Sequence, residues 1–179
     1  MESRPPMNTQ TIKKVIREII FSLVPAILIA FFVNFFVTEA AVVEQGPSMQ
    51  PNLYVGYRVM TEKVSYRFHE PNRGDIVIVE QAGQDVDLVK RIVALPGEIV
   101  EVRAGQVWLN GEKLSEPYVQ EFGGPSYGPS RIPDETVFIL GDNRRLSHDS
   151  RAFGPVSLDS VNRRVLFVYW PLEEFKIFP

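Results

Sequence analysis

A serine, a lysine and a polar loop are the parts of this 179-residue sequence best suited to chemistry. Ser48 lies between two prolines, so its hydroxyl is presented on a conformationally restricted segment. Lys90 interrupts the apolar run DLVKRIVAL and, if that run is a strand, shares a face with Leu88 and Ile92. An amine among apolar side chains loses its proton more readily, and a neutral amine can accept the proton of a serine hydroxyl.

Each of these segments also has an ordinary interpretation. Ser48 suits a common turn, and Lys90 suits an edge strand that keeps its ammonium group in water. The loop GDNRRLSHDSR, residues 141–151, suits a polar connection with local Asx and Ser turns. The three segments therefore indicate an active site only when they are taken together.

Other kinds of chemistry find little support in the composition. The chain has no cysteine, and its two histidines, His69 and His148, lack metal-ligand spacing. A Ser–His–Asp triad that uses His148 and Asp149 would be awkward, because neighbours on an extended segment point to opposite faces. The formal net charge of -3 does not favour a nucleic-acid partner. We expect no metal and no other cofactor.

An apolar segment precedes all of these residues. Ile19 to Val37 is a run of 19 uncharged residues, close to the length of about 20 that spans a bilayer as a helix. Basic residues lie before it and acidic residues after it, which predicts a cytoplasmic N-terminus: Arg4, Lys13, Lys14 and Arg17, then Glu39 and Glu44. A cleaved signal peptide would have a shorter apolar core of about 7–15 residues. A buried core helix would show one polar face.

The remainder of the chain predicts β structure. Short runs rich in Val, Ile and aromatic residues predict strands: AAVVE, GDIVIVE, DLVKRIVAL, EIVEV, QVWLN, TVFIL and VLFVYW. Arg103-Ala104-Gly105 and Asn110-Gly111 are suited to tight turns, and the Gly- and Pro-rich stretch from Glu121 to Pro133 predicts a long loop. The expected fold is mainly β, a coiled or barrel-like antiparallel domain with one N-terminal transmembrane helix. Its predicted parts are a cytoplasmic segment (1–17), the transmembrane helix (18–38) and an extracytoplasmic catalytic β domain (39–179).

Three segments, in this order, resemble the boxes of the type I signal peptidase family, membrane-bound Ser–Lys endopeptidases. GPSMQPNL resembles the serine box of that family, and RGDIVIV resembles the strand that follows it. LVKRIVALPGE resembles the lysine box, and GDNRRLSHDSR the C-terminal box. The resemblance extends from the apolar segment to about Phe153. It implies the coiled β fold of that family and the removal of signal peptides from exported preproteins.

The resemblance also implies roles for single residues. Ser48 would be the nucleophile, Lys90 the general base, and Ser147 would hydrogen-bond the Lys90 amine and orient it. A structural salt-bridge network would support them, formed by Arg91, Asp142, Asp149 and Arg151.

This sequence departs from the pattern of the family in the serine box. Gly46 stands where Gram-negative members often carry a hydroxyl that helps to bind the oxyanion, so the Ser48 N–H would be the main donor. Losing one such donor can cost about 10²–10³ in rate. Asn52 stands where Thr is usual, and Ala94 stands where Gly is often found.

The expected partners are preproteins with A-x-A-like cleavage sites and the lipid bilayer. Ser48 follows Val37 by 11 residues, a reach of at most roughly 36–40 Å, so the nucleophile should work near the membrane surface. Candidates for the substrate pocket are Met49, Leu53, Leu88 and Val89, although each could be plain core. The substrate would add as a strand beside residues 42–45 and 87–89.

Three other functions compete with this one. A self-cleaving repressor of the related Ser–Lys class would need an N-terminal DNA-binding domain where this chain has its apolar run. A membrane-tethered binding protein would leave Ser48, Lys90 and Ser147 unexplained. An inactive member of the same family is also conceivable, although every expected catalytic position is filled.

Overall fold

The computed structural model describes residues 9–44, 46–80 and 87–178, in two compact units, 1–37 and 38–179. The first unit contains one helix, α1, at Thr9–Phe36, with Pro25 inside it. In the part of the chain that the structure describes, neither α1 nor any other helix combines the length and the apolar character of a membrane span. Arg4 of the predicted basic flank lies outside the described residues.

The second unit is mainly antiparallel β structure, as predicted. Twelve strands lie in the described part of this unit: β1 Thr38–Val42, β2 Arg58–Glu62, β3 Ile76–Val79, β4 Leu88–Ala94, β5 Ile99–Arg103, β6 Gln106–Leu109, β7 Glu112–Lys113, β8 Tyr127–Arg131, β9 Thr136–Leu140, β10 Val156–Ser157, β11 Val161–Trp170 and β12 Lys176–Ile177. A short helix, α2, covers Ser150–Phe153.

Two sheets are formed from these strands. The larger has the order β1-β2-β11-β3-β4-β9-β10, with β12 paired to β11. The smaller has the order β7-β6-β5-β8. The register of β11 shifts against both β2 and β3, and such bulges bend a strand and increase its twist.

The centre of the larger sheet is buried on both faces, which explains the continuous apolar run IVIV in β3. Ile76 and Ile78 belong to one apolar cluster, whereas Val77 and Val79 belong to another. Residues 88–90 of β4 pair with β3, but β9 pairs with β4 only from Arg91 onward. The first half of β4 therefore has one unpaired edge among the described strands, and β1 is an edge strand of the same sheet.

Tight turns join the strands of the smaller sheet where the sequence predicts them. Ala104 and Gly105 have φ values of 48° and 85° between β5 and β6, and Asn110 and Gly111 have 52° and 89° between β6 and β7. Positive φ at both central residues matches the twist of a two-residue hairpin. The predicted loop from Glu121 to Pro133 is wrong in part, because it contains β8 (Tyr127–Arg131), which pairs with β5.

Candidate active site

Ser48 and Lys90 are brought together from two separate elements. Ser48 opens a tight turn in which the N–H groups of Asn52 and Leu53 both donate to the Met49 carbonyl, at 2.9 Å. Lys90 is the third residue of β4, opposite Val77 of β3. Its Nζ lies 2.9 Å from Ser48 Oγ and 3.0 Å from the Val89 carbonyl oxygen. The hydroxyl and the amine are therefore within hydrogen-bond reach, 42 residues apart in sequence.

The Lys90 amine is buried in an environment that does little to compensate its charge. Lys90 is only 3% exposed, and in the part of the chain that the structure describes no carboxylate forms an ion pair with it. Burial lowers the pKa of Lys90 to about 8, while the charges of Asp149 and Asp142 act in the opposite direction. Each of these carboxylates is bound by an arginine, so their pull on Lys90 is weakened. A substantial fraction of this amine is neutral near pH 8.

Two buried arginine–aspartate pairs hold the surrounding loop. Arg91 donates from Nε and Nη2 to the two carboxylate oxygens of Asp142, at 2.8 and 2.7 Å. Arg151 binds Asp149 in the same bidentate way, at 2.8 and 2.9 Å. The predicted network thus consists of two pairs, and each is geometrically well suited to a buried ion pair.

Asp149 also organises the backbone near the nucleophile. It caps α2 by accepting from the Arg151 N–H, and its Oδ2 accepts from the Gly141 N–H at 3.1 Å. A Cβ added to Gly141 would overlap Ser147 Oγ and the Ser48 carbonyl oxygen. Only glycine therefore allows this close approach of the 141–151 loop to the nucleophile turn.

The expected hydrogen bond from Ser147 to the Lys90 amine is not formed in the structure. Ser147 Oγ is buried and has no hydrogen-bond partner within the described residues. It lies beside Gly141 and the Ser48 carbonyl, whereas Lys90 Nζ is engaged with Ser48 Oγ and the Val89 carbonyl. The orienting role of Ser147 stays a prediction.

A groove with a volume of about 500 Å³ leads to the Ser–Lys pair. Its walls come from the end of β1 and the segment after it (40–44), and from the start of β4. Met49, Leu88 and Val89 line it, but Leu53 does not. Leu53 is fully buried in the core cluster that contains Val59, because the turn after Ser48 directs it inward. Gln45, part of the predicted substrate-binding edge, lies outside the described residues.

The turn that carries Ser48 has a polar anchor that the sequence reasoning missed. Asn52 Nδ2 donates to Asp142 Oδ2 and to the Tyr118 carbonyl, both at 2.8 Å, and its Oδ1 accepts from Lys176 Nζ at 2.6 Å. The Asn143 N–H donates to the Ser48 carbonyl at 2.9 Å. The nucleophile turn and the 141–151 loop are therefore joined at two points.

A further buried ion pair was also missed. Arg144 contacts Glu116, and both side chains are almost fully buried. Arg144 Nε donates to the Gly141 carbonyl, so this pair connects the 141–151 loop to the segment after β7. Glu116 lies in no motif, and a partner distant in sequence cannot be read from spacing alone.

His148 takes no part in this arrangement. Its ring is exposed and packs edge-on against Phe153 at a centroid distance of 5.4 Å. No hydrogen bond joins it to Ser48 in the part of the chain described. The geometry thus supplies a serine with a lysine partner and without a histidine partner.

Comparison with known proteins identifies the family of this chain. The family described as signal peptidase, peptidase S26, matches residues 16–170. A probable signal peptidase I-2 from Synechocystis is 36% identical over 94% of this chain and 77% of its own length. Signal peptidase IB from Staphylococcus aureus and signal peptidase I S from Bacillus subtilis are each 35% identical over 92% of this chain and 94% of their own lengths.

Among solved structures, a signal peptidase I from Enterococcus faecalis is 34% identical, with a TM-score of 0.44, and the match covers 55% of this chain and 97% of the other. The family match and the curated relatives each span most of the sequence. The chain belongs to the signal peptidase family, peptidase S26.

Proposed function

We propose that this chain is a membrane-anchored serine endopeptidase that removes signal peptides from exported preproteins, with Ser48 as nucleophile and Lys90 as general base. The observation that carries this proposal is the 2.9 Å contact between a serine hydroxyl and a buried lysine amine that has no ion-pair partner among the described residues. Family membership supports the reaction and the class of substrate. We also propose that the β structure forms the coiled domain typical of this family and that a membrane-spanning helix precedes it.

The reaction follows from the state of the amine. Neutral Lys90 takes the proton of Ser48 as the hydroxyl oxygen attacks the scissile carbonyl. The resulting ammonium group returns that proton to the leaving nitrogen, the C–N bond breaks, and the signal peptide stays on Ser48 as an ester. Lys90 then takes a proton from water, which attacks the ester, and returns it to Ser48 as the signal peptide leaves. In each half-reaction Lys90 accepts one proton and releases it again, and no atom changes its oxidation state.

The oxyanion needs a hydrogen-bond donor, and the Ser48 N–H is the best candidate. Within the described residues this N–H donates no hydrogen bond. A Cβ atom at position 46 would lie 4.0 Å from the Ser48 nitrogen. Glycine leaves that space open for substrate or water. A preorganised donor at this point stabilises the charge that develops in the transition state.

The groove suits an extended peptide with small side chains. A strand inserted between the segment 40–44 and the unpaired edge of residues 88–90 could use main-chain hydrogen bonds on both sides. Its lining includes the apolar side chains of Met49, Ile78 and Val89. This surface fits the A-x-A-like residues that precede the cut in signal peptides.

The anchor proposal rests on the N-terminal segment. Large apolar side chains are exposed along α1, including Phe21 at 75% and Phe31 at 65%. The uncharged run from Ile19 and the basic residues before it support a single span with a cytoplasmic N-terminus and an extracytoplasmic β domain. Removing residues 1–38 should abolish binding to liposomes. Residual binding would show a second lipid contact, for which exposed Trp170 is a candidate.

The direct test of the proposal is cleavage of a purified preprotein by the full chain in detergent. We expect the wild type to release a mature product whose N-terminal sequence begins after an A-x-A-like site. Ser48→Ala and Lys90→Ala should leave the preprotein intact. A tethered binding protein would bind the preprotein and leave its signal peptide attached, and that result would refute the proposal.

A further inference from the structure

A second cavity lies next to the nucleophile turn, on residues that the groove does not use. Its volume is about 220 Å³, and its lining includes Gln50, Gln120, Glu121, Asp142 and Asn143. The groove, in contrast, is lined by residues from β1, β4 and the segment around Ser48. Among the described residues, the two depressions share no lining residue.

The walls of the second cavity are fixed to the nucleophile by backbone hydrogen bonds. The Asn143 N–H donates to the Ser48 carbonyl at 2.9 Å. The Gln50 N–H donates to the Pro47 carbonyl at 3.1 Å, within the same turn. The walls of this cavity and the Ser48 backbone therefore belong to one hydrogen-bonded unit.

A peptide substrate needs a path on both sides of its scissile bond. If the residues before the cut lie in the groove, the residues after the cut must leave Ser48 on its other side. An extended peptide advances about 3.3 Å per residue, so the wall at Gln50, two residues from Ser48, is within reach of the second or third residue after the cut.

Two carboxylates line this cavity, Asp142 and Glu121, and their environments differ. Asp142 is buried and bound by Arg91 and Asn52. Glu121 is exposed, and it forms no ion pair within the ranges that the structure describes. Beside it, the amide groups of Gln50 and Gln120 can bind neutral peptide groups or polar side chains.

We propose that this cavity binds the first residues of the mature protein and that Glu121 makes it favour basic over acidic side chains there. The proposal rests on the proposed signal-peptide cleavage and adds a specificity determinant to it. Glu121 contacts the part of the substrate that leaves as the new N-terminus, whereas the groove selects the part that stays on Ser48.

Peptides that share one signal sequence and differ only at the second or third residue after the cut test this inference. Each position carries Lys, Gln or Glu, and kcat/KM is measured with the full chain in detergent. The wild type should cleave the Lys peptide about 3- to 5-fold faster than the Glu peptide at one of these positions, the size of one exposed ion pair. High salt should reduce this ratio.

Two variants of the same side chain sharpen the result. Glu121→Gln should bring the ratio to about one, and Glu121→Lys should reverse it. Glu112→Gln, an exposed glutamate on β7, is the matched control and should leave the ratio unchanged. Peptides that vary at the sixth residue after the cut should not respond to either Glu121 variant.

Unchanged ratios in both Glu121 variants, with normal cleavage, would refute this inference alone. Failure of the wild type to cleave any peptide would refute the proposed function and this inference with it. A reversed ratio in Glu121→Lys, with folding and Gln-peptide cleavage preserved, supports direct contact between residue 121 and the mature segment.

Discussion

Two neighbouring cations on β4 have opposite environments. Arg91 is 4% exposed and donates to both oxygens of Asp142, with a further bond from Nη1 to the Gly74 carbonyl and its guanidinium 4.1 Å from the Tyr118 ring centroid. Lys90 is 3% exposed, and its polar contacts are a hydroxyl and a carbonyl oxygen. Burial is the same for both residues, whereas compensation of the charge differs.

This difference in charge compensation gives the two cations different roles, one structural and one catalytic. A buried cation with a bidentate carboxylate stays charged and holds the loop that it binds. A buried amine without such a partner is destabilised as an ammonium ion and releases its proton near neutral pH. One strand can thus carry a structural cation and a catalytic base side by side, because adjacent residues project to opposite faces.

The largest effect should follow from Lys90→Met, which keeps most of the length of the side chain and removes the base. We expect kcat to fall by about 10²–10⁴, the usual contribution of a general base, with an unchanged cooperative melting transition. Lys113→Met, an exposed lysine on β7, is the control and should keep wild-type kcat. A Lys90→Met enzyme with near wild-type kcat would show that another group is the base.

Arg91→Met should lower the stability of the protein, which Lys90→Met leaves unchanged. Removing the arginine leaves Asp142 buried with an uncompensated charge, so we expect the free energy of unfolding to fall by about 3–5 kcal/mol in urea titrations. Arg103→Met breaks the exposed pair with Glu101 and should lower the free energy of unfolding much less than Arg91→Met does. Equal losses in both variants would contradict the assignment of Arg91 as the buried structural cation.

Asn52→Ala should have an intermediate effect. It removes two donated hydrogen bonds and the acceptor for Lys176, which leaves Asp142 and the Tyr118 carbonyl short of partners at a cost of about 1–3 kcal/mol. Because the nucleophile turn loses its link to the loop, kcat should fall more than KM rises. Wild-type kcat together with wild-type stability would show that the Asn52 bridge is unimportant.

The smallest effect is expected for His148→Ala. The ring is exposed and its described contact is with Phe153, so the change in stability should stay within about 0.5 kcal/mol and kcat within about twofold. The measurement is the same preprotein cleavage assay used for Lys90→Met. A fall in kcat as large as that of Lys90→Met would indicate that His148 takes part in the reaction.

Much of the fold could be predicted from local patterns, since β3, β4 and β9 are short apolar runs with clear boundaries. The exception is β8, in which Gly128 and Pro129 are loop signals that pairing with β5 overrides. Contacts distant in sequence account for other misses. Glu116 meets Arg144, and Lys176 meets Asn52, only because the sheet topology brings them together.

In the site, too, some features could be predicted from the sequence and others could not. The resemblance of the motifs to a known family predicts that Ser48 and Lys90 meet and that two arginines and two aspartates form a network. Which arginine binds which aspartate is seen only in the structure. The inward turn of Leu53 and the position of Ser147 Oγ beside Gly141 depend on local backbone geometry, which composition does not encode. Sequence patterns thus identify which residues matter more readily than they predict the contacts that each one makes.

The most direct test of the central claim is the pH dependence of kcat/KM for preprotein cleavage between pH 6 and 10. Burial lowers the pKa of Lys90 to about 8, so the neutral, reactive fraction increases as the pH rises through that value. We predict a rate that climbs about tenfold per pH unit below the transition and levels off above about pH 9. A rate that is already level between pH 6 and 9, or that depends on a single transition near the ordinary histidine pKa of about 6.5, would contradict the neutral-lysine mechanism.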